Sequence, residues 1–326
     1  MWKDLLTLRM HSPMLADFDW LHPIESTKES ISEFVDGLIQ GIFRSLYEGL
    51  YNSCESSFSG LFDSLNKNVG DAAGTLTQTP QGWSEAAYNT VKSVSENAFL
   101  PIAASFITVI FCWELIRMVQ DSNSMQHITT DKIVVALLKL GVCLMVCSKA
   151  FDIVMAFFEL GASATTMLAD TTENTFGEGL TFSNLVTPPG EMSRVSFSDI
   201  MEVLWYLIII WIGRIMIIVA GCIIYVRCVL WFLELLIYSS AAPIPYSTWM
   251  NKEWSQVGMN YTRKMLSLVF QGPFMLLLFA IYGGVLNGIQ ADDFTITMIM
   301  VIGCGFALNM MMFKVSTITD SIFNAH

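Results

Sequence analysis

"IMEVLWYLIIIWIGRIMIIVAGCIIYVRCVLWFLELLIY", residues 200–238, decides the class of this chain. As a helix it would measure roughly 58 Å, against about 30 Å of hydrocarbon in a bilayer. Either it crosses once and projects beyond the membrane, or it folds into a hairpin. Working outward, further apolar runs occupy about 98–118, 133–168, 264–286 and 294–313. Of the 326 residues, 53% are hydrophobic and only 14% charged, and mean hydropathy is +0.53. Soluble domains carry about 25% charged residues. The reading is an all-α, polytopic membrane helix bundle of about five transmembrane helices. Two of them, 133–168 and 200–238, are unusually long.

Lysine and arginine fix the expected orientation. Segments 117–132 and 241–264 hold two and three of them, and Lys314 follows the last span. The outer loop 169–199 has one against five acids, and 287–293 has none against two. Positive charge favours the cytoplasmic side. The biases agree when 133–168 and 200–238 each cross once, which puts the N-terminus outside and the C-terminal tail, 314–326, in the cytoplasm. A hairpin in 200–238 would reverse the side of the basic segment 241–264.

Residues 1–97 are polar and acidic, with thirteen Asp and Glu against six Lys and Arg. Within them, 31–51 predicts an amphipathic helix in an extracytoplasmic region. Val35, Ile39, Phe43, Tyr47 and Tyr51 form one apolar ridge, and Phe34, Leu38, Ile42, Leu46 and Leu50 a second. Gly37, Gly41, Ser45 and Gly49 form a small ridge that would let another helix approach closely. An ordinary amphipathic surface helix explains the same spacing. The Gly-, Asn- and Thr-rich stretch 63–82 reads as a flexible connection.

The net charge of −12 argues against a nucleic-acid-binding surface. Six of seven cysteines lie in apolar runs, so no disulfide framework is expected. Cys143 and Cys147 share a helix face without a third ligand, and small residues at a helix contact are the simpler reading. The four histidines are scattered. No nucleotide, nucleophile or metal motif appears, so neither an enzyme nor a cofactor is predicted.

Ionisable residues in or near the spans are the candidate pore or ion-pair positions: Glu114, Lys139, Lys149, Asp152, Glu159, Arg214, Arg227 and Glu234. Charge at bilayer depth needs a partner or water. Lys149 and Asp152, at i, i+3, are expected to pair. Arg214, mid-run, calls for an acid on another helix or a neighbouring subunit, with Glu114 and Glu159 as candidates.

In "AAPIPYSTWMNKEWSQVGMNYTRKM", residues 241–265, Pro243 and Pro245 end the long helix. Trp249 and Trp254 suit a membrane–water boundary. With Lys252, Glu253, Arg263 and Lys264 they make a cytoplasmic elbow, 239–263 and its edge, that is a candidate partner contact. An interfacial anchor with no partner fits the same residues.

The stretch "APIPYSTWMNKEWSQVGMNYTRKMLSLVFQG" (242–272) resembles the segment after the long central helix in TrbL-like conjugal transfer membrane proteins of Gram-positive mobile elements. "TPQGWSEAAYNTVKSVSENAFLPIA" (79–103), "WELIRMVQD" (113–121) and "FDIVMAFFELG" (151–161) extend the resemblance. It implies a plasma-membrane channel subunit of a type IV secretion system that helps move single-stranded DNA with its attached relaxase. It further implies a homo-oligomer among other secretion membrane subunits, with separate cytoplasmic ATPases as partners. A small-solute or ion transporter and a non-conducting scaffold for the ATPases are the competing readings.

Overall fold

The structure is a computed structural model that describes residues 22–121, 130–171, 180–289 and 293–325. Part of the outer loop 169–199 and the first 21 residues of the N-terminal region therefore lie outside the described residues. The chain is helical, with no strand among the described residues. Its elements are α1 (His22–Leu76), α2 (Pro80–Trp83), α3 (Glu85–Val94), a π-helical turn (Ser95–Phe99), α4 (Leu100–Asp121), α5 (Thr130–Ser148) and α6 (Ala150–Thr171). They continue with α7 (Phe182–Leu185), α8 (Phe197–Ala241), α9 (Pro243–Ser247), a 3-10 turn (Thr248–Met250), α10 (Ser255–Asn287) and α11 (Phe294–Phe323).

Among the described residues, five helical stretches are long and apolar enough to cross a membrane: Glu85–Gln120, Ala150–Ala169, Phe197–Met250, Ser255–Asn287 and Phe294–Phe323. The long run 200–238 is one helix without a hairpin. The run 133–168 is not one helix. It breaks at Lys149, whose N–H still reaches the carbonyls of Met145 and Val146 at 3.2 Å. Its own carbonyl takes the Ile153 N–H at 2.9 Å, so the break is a single-residue bend and not a loop.

Two further expectations change. The amphipathic segment 31–51 is the middle of a 55-residue helix. The supposed connection 63–82 is helical as far as Leu76, and helix resumes at Pro80. Thr79 caps that restart by accepting the Gly82 N–H, and Ser84 caps α3 by accepting the Ala87 N–H at 3.3 Å. The π-turn sits directly before Pro101, where the missing proline N–H removes the helical bond to residue 97. The C-terminal tail is helical through Phe323 and stops at Asn324, which adopts a left-handed conformation (φ 50°).

The chain divides into two compact units. One comprises residues up to Ser57 with Phe182–Ile208; the other comprises Phe58–Thr181 with Ile209–His326. In the first, Tyr47 donates to the Thr187 carbonyl at 3.0 Å, and Tyr51 packs on Phe182 with ring centroids 5.0 Å apart. The Cys54 thiol donates to the Val203 carbonyl at 3.5 Å. One apolar ridge of α1 is thereby buried from Tyr47 onward. The other stays open: Phe34 is 69% exposed, and Leu38, Ile42 and Leu46 are exposed too.

In the second unit, α10 and α11 pack along their length and α6 runs beside α10. Gly161 allows that second approach, because a Cβ there would lie 2.9 Å from the Val269 carbonyl oxygen. A core of Ile107, Ile110, Cys143, Cys147, Val154, Tyr246, Met265 and Leu268 ties α4, α5 and α6 to the elbow and α10.

Candidate functional site

The elbow is a clamped structure. Pro243, Pro245 and Tyr246 are buried. The Cys143 thiol points at the Ser247 carbonyl at 3.5 Å and the Cys147 thiol at the Pro243 carbonyl at 3.6 Å. These cysteines serve the contact between α5 and the end of the long helix. Thr248 Oγ1 donates to the Pro245 carbonyl at 2.7 Å and accepts the Gly258 N–H at 3.2 Å. Tyr261 donates to the Tyr238 carbonyl at 2.7 Å.

Beyond the prolines, Asn251 organises the acids and bases. Fully buried, it donates from Nδ2 to Glu114 Oε2 at 2.8 Å and accepts the Glu253 N–H at Oδ1 at 2.8 Å. Lys139 stands 3.8 Å from the other Glu114 oxygen, and Arg117 pairs with Glu253. Glu114, Lys139, Arg117 and Glu253 thus form one network across α4, α5 and the elbow. Lys264 also pairs within the chain: Nζ lies 2.8 and 2.7 Å from the two Asp320 oxygens, and Ser267 Oγ donates to Asp320 at 2.6 Å. Of the elbow positions singled out in the sequence, Trp249, Lys252, Glu253 and Trp254 are exposed, and Arg263 is half-buried.

The deep charges separate by surroundings. Lys149 and Asp152 pair at 3.1 Å, as their spacing predicts. Arg214 makes no ion pair with the described residues of its own chain. Its guanidinium carbon lies 5.8 Å from the centroid of the Trp211 ring, and the ion pairs among the described residues run elsewhere. Glu114 is engaged with Lys139 and Asn251, and Glu159 is exposed. The neighbouring Gly213 faces Met298 and Leu61, each 3.1 Å from where a Cβ would stand. Arg214 is therefore level with an early turn of α11.

Arg227 is the deeply enclosed cation, at 8% exposure. It donates to Gln271 Oε1 at 3.4 Å, and its Nε has no partner. Glu234 is half-buried. In the small ridge of α1, a Cβ at Gly37, Gly41 or Gly49 would meet nothing within 4 Å, so the ridge, with Ser45 in its groove, is open.

One feature escaped the sequence reading. Between Phe58 and Leu76, α1 buries Phe62, Leu65, Val69, Ala72 and Leu76 on one face. Asp63, Lys67, Asp71, Gly74 and, past the helix end, Gln78 are exposed on another. The buried face lies along α8: Leu61 meets Gly213, Asn68 donates to the Ile217 carbonyl at 3.4 Å and covers Gly221, and Trp83 stacks on Phe232 at 4.8 Å. The spacing of Phe58, Phe62, Leu65, Val69, Ala72 and Leu76 was the available signal, hidden by glycines and asparagines.

The helical spans and buried polar network define a multi-pass membrane protein. Residues 65–243, more than half of the chain, match the family described as TrbL/VirB6 plasmid conjugal transfer like protein. The chain belongs to this family and is a membrane component of conjugal transfer. No curated protein and no solved structure matches it.

Proposed function

We propose that the chain is a plasma-membrane channel subunit of a conjugative type IV secretion system, where it helps pass single-stranded DNA with its covalently attached relaxase. The family match carries this reading, because it runs from the polar half of α1 through the whole of α8. The charge biases on either side of α8 support an N-terminus outside and a C-terminus in the cytoplasm. The exposed Trp249, Lys252, Glu253 and Trp254 form the elbow surface offered to cytoplasmic transfer ATPases, on a base that the Asn251 network holds rigid. Several copies would join through the open small ridge of α1. The chain's acidity argues against an electrostatic grip on DNA along its whole length, so DNA would pass transiently.

The test is deletion of the protein from a donor cell. Transfer should be abolished while nicking at the transfer origin persists. Normal transfer would remove the channel reading, and crosslinking of transferring DNA to the chain in living donors separates a conduit from a scaffold.

A further inference from the structure

The exposed face of the second half of α1 is polar, and it lies where lipid is expected. Leu61, Asn68 and Trp83 mark its path beside Gly213, Gly221 and Phe232 of α8. Residues 213–232 are the central part of a 45-residue apolar helix, so a bilayer centred on α8 sets most of this stretch in hydrocarbon. Beside it run Asp63, Lys67, Asp71, Gly74 and Gln78, all exposed, over about 22 Å of chain rise. A cleft of about 320 Å³ opens where Asn68, Asp71 and Thr75 meet Gly221 and Tyr225.

Charged and polar side chains at that depth are tolerated only inside protein or against water. Phe62, Leu65, Val69, Ala72 and Leu76 of this helix are buried, while Asp63, Lys67, Gly74 and Gln78 are exposed and Asp71 stands at the cleft. We infer that this stripe is the wall of an aqueous path at bilayer depth, formed by a helix that does not itself qualify as a span. Two acids and one base give it a mixed, weakly acidic character. Such a wall suits the transit of hydrated, charged material better than its capture, because nothing on it clusters positive charge. The inference rests on the conduit reading only for the identity of what passes.

The test uses the full chain in donor cells with the assembled machine. Asp63→Cys, Lys67→Cys, Asp71→Cys and Gln78→Cys are compared with Ile215→Cys and Ile218→Cys, exposed apolar positions at the same height. Membrane abundance and transfer frequency confirm that each variant is folded. A charged, membrane-impermeant thiol reagent should label the four stripe variants above the parent chain. The two isoleucine variants should react about tenfold or more slowly, since a thiol in hydrocarbon does not ionise. Stripe variants as protected as Ile218→Cys would overturn the inference, and so would labelling that appears only when the other transfer subunits are absent. Labelled stripe variants without DNA crosslinks would keep the aqueous wall and remove DNA as its cargo. Protected variants in a chain still essential for transfer would do the reverse.

Discussion

Asn251 Nδ2 lies 2.8 Å from Glu114 Oε2, joining the elbow to α4 across 137 positions of sequence. The Glu114 side chain is only 17% exposed, and its other partner, Lys139, stands at 3.8 Å. Asn251→Ala removes the short contact and also frees the Glu253 N–H. The expected loss is about 1–3 kcal/mol, the range for leaving a buried polar group unsatisfied. Thermal unfolding in detergent measures it, with faster proteolysis at the elbow as the local sign. An unchanged melting temperature would show that the network does not hold the elbow.

The Lys264–Asp320 pair joins α10 to α11 with both side chains about a quarter exposed. Single alanine substitutions at either position should cost about 1–3 kcal/mol, because each leaves a partly buried charge unpaired. The double variant should cost less than the sum, with a coupling energy of about 1 kcal/mol or more. Strict additivity would show the pair to be incidental. Either outcome bears on the elbow, since Lys264 is held by α11 and is not free for a partner.

Much of this architecture is legible in the sequence. The 39-residue, largely apolar run 200–238 announces one long helix, and Pro243 and Pro245 announce its end. The bend at Lys149 was visible only as an interruption, because helical bonding persists on both sides of it. The segment 63–82 misled through intrinsic propensity. Gly70, Gly74, Asn66 and Asn68 are poor helix formers, but Leu65, Val69, Ala72 and Leu76 pack on one side and override them. The Asn251–Glu114 and Lys264–Asp320 contacts had no local signature, since each joins residues far apart in sequence.

Cys54 offers a check on the N-terminal unit. It has no exposed surface, and burial pushes its thiol from an ordinary 9.0 up to about 11. An impermeant thiol reagent should therefore leave Cys54 unlabelled, whichever side it faces. Ser56, two residues on, is exposed. Ser56→Cys should label in intact cells if the N-terminus is outside, and labelling only after lysis would reverse the proposed orientation. The raised pKa also carries a sign. The unfolded thiol loses its proton first, so the Cys54 contribution to stability is intact below pH 9 and declines as pH rises towards about 11. Melting curves of the parent and Cys54→Ser chains should converge across that window.

Two glycines of the same type should behave oppositely. Gly161→Val forces side-chain atoms into the Val269 backbone and should cost about 1–3 kcal/mol or more by overpacking. Gly41→Ala meets open space and should be neutral or stabilising, by up to about 1 kcal/mol of helix propensity. Gly41→Leu separates the monomer from its assembly. It should leave the melting temperature of the isolated chain unchanged but reduce the oligomer recovered from membranes by crosslinking. Undiminished oligomer would remove the small ridge as the contact between copies.

Arg227 sets stability against function. A guanidinium at 8% exposure, with one 3.4 Å contact to Gln271 and an unpartnered Nε, is a poorly compensated buried charge. Replacing such a group by an apolar side chain of similar reach removes its desolvation cost, and comparable replacements gain about 1–4 kcal/mol. Arg227→Leu should therefore raise the melting temperature of the detergent-solubilised chain. Gln271→Leu should lower it, since it strips the arginine of its remaining partner. If the charge is kept for transfer, Arg227→Leu will combine a more stable protein with a lower transfer frequency. A destabilised Arg227→Leu chain would instead show that the guanidinium is structurally satisfied in the bilayer.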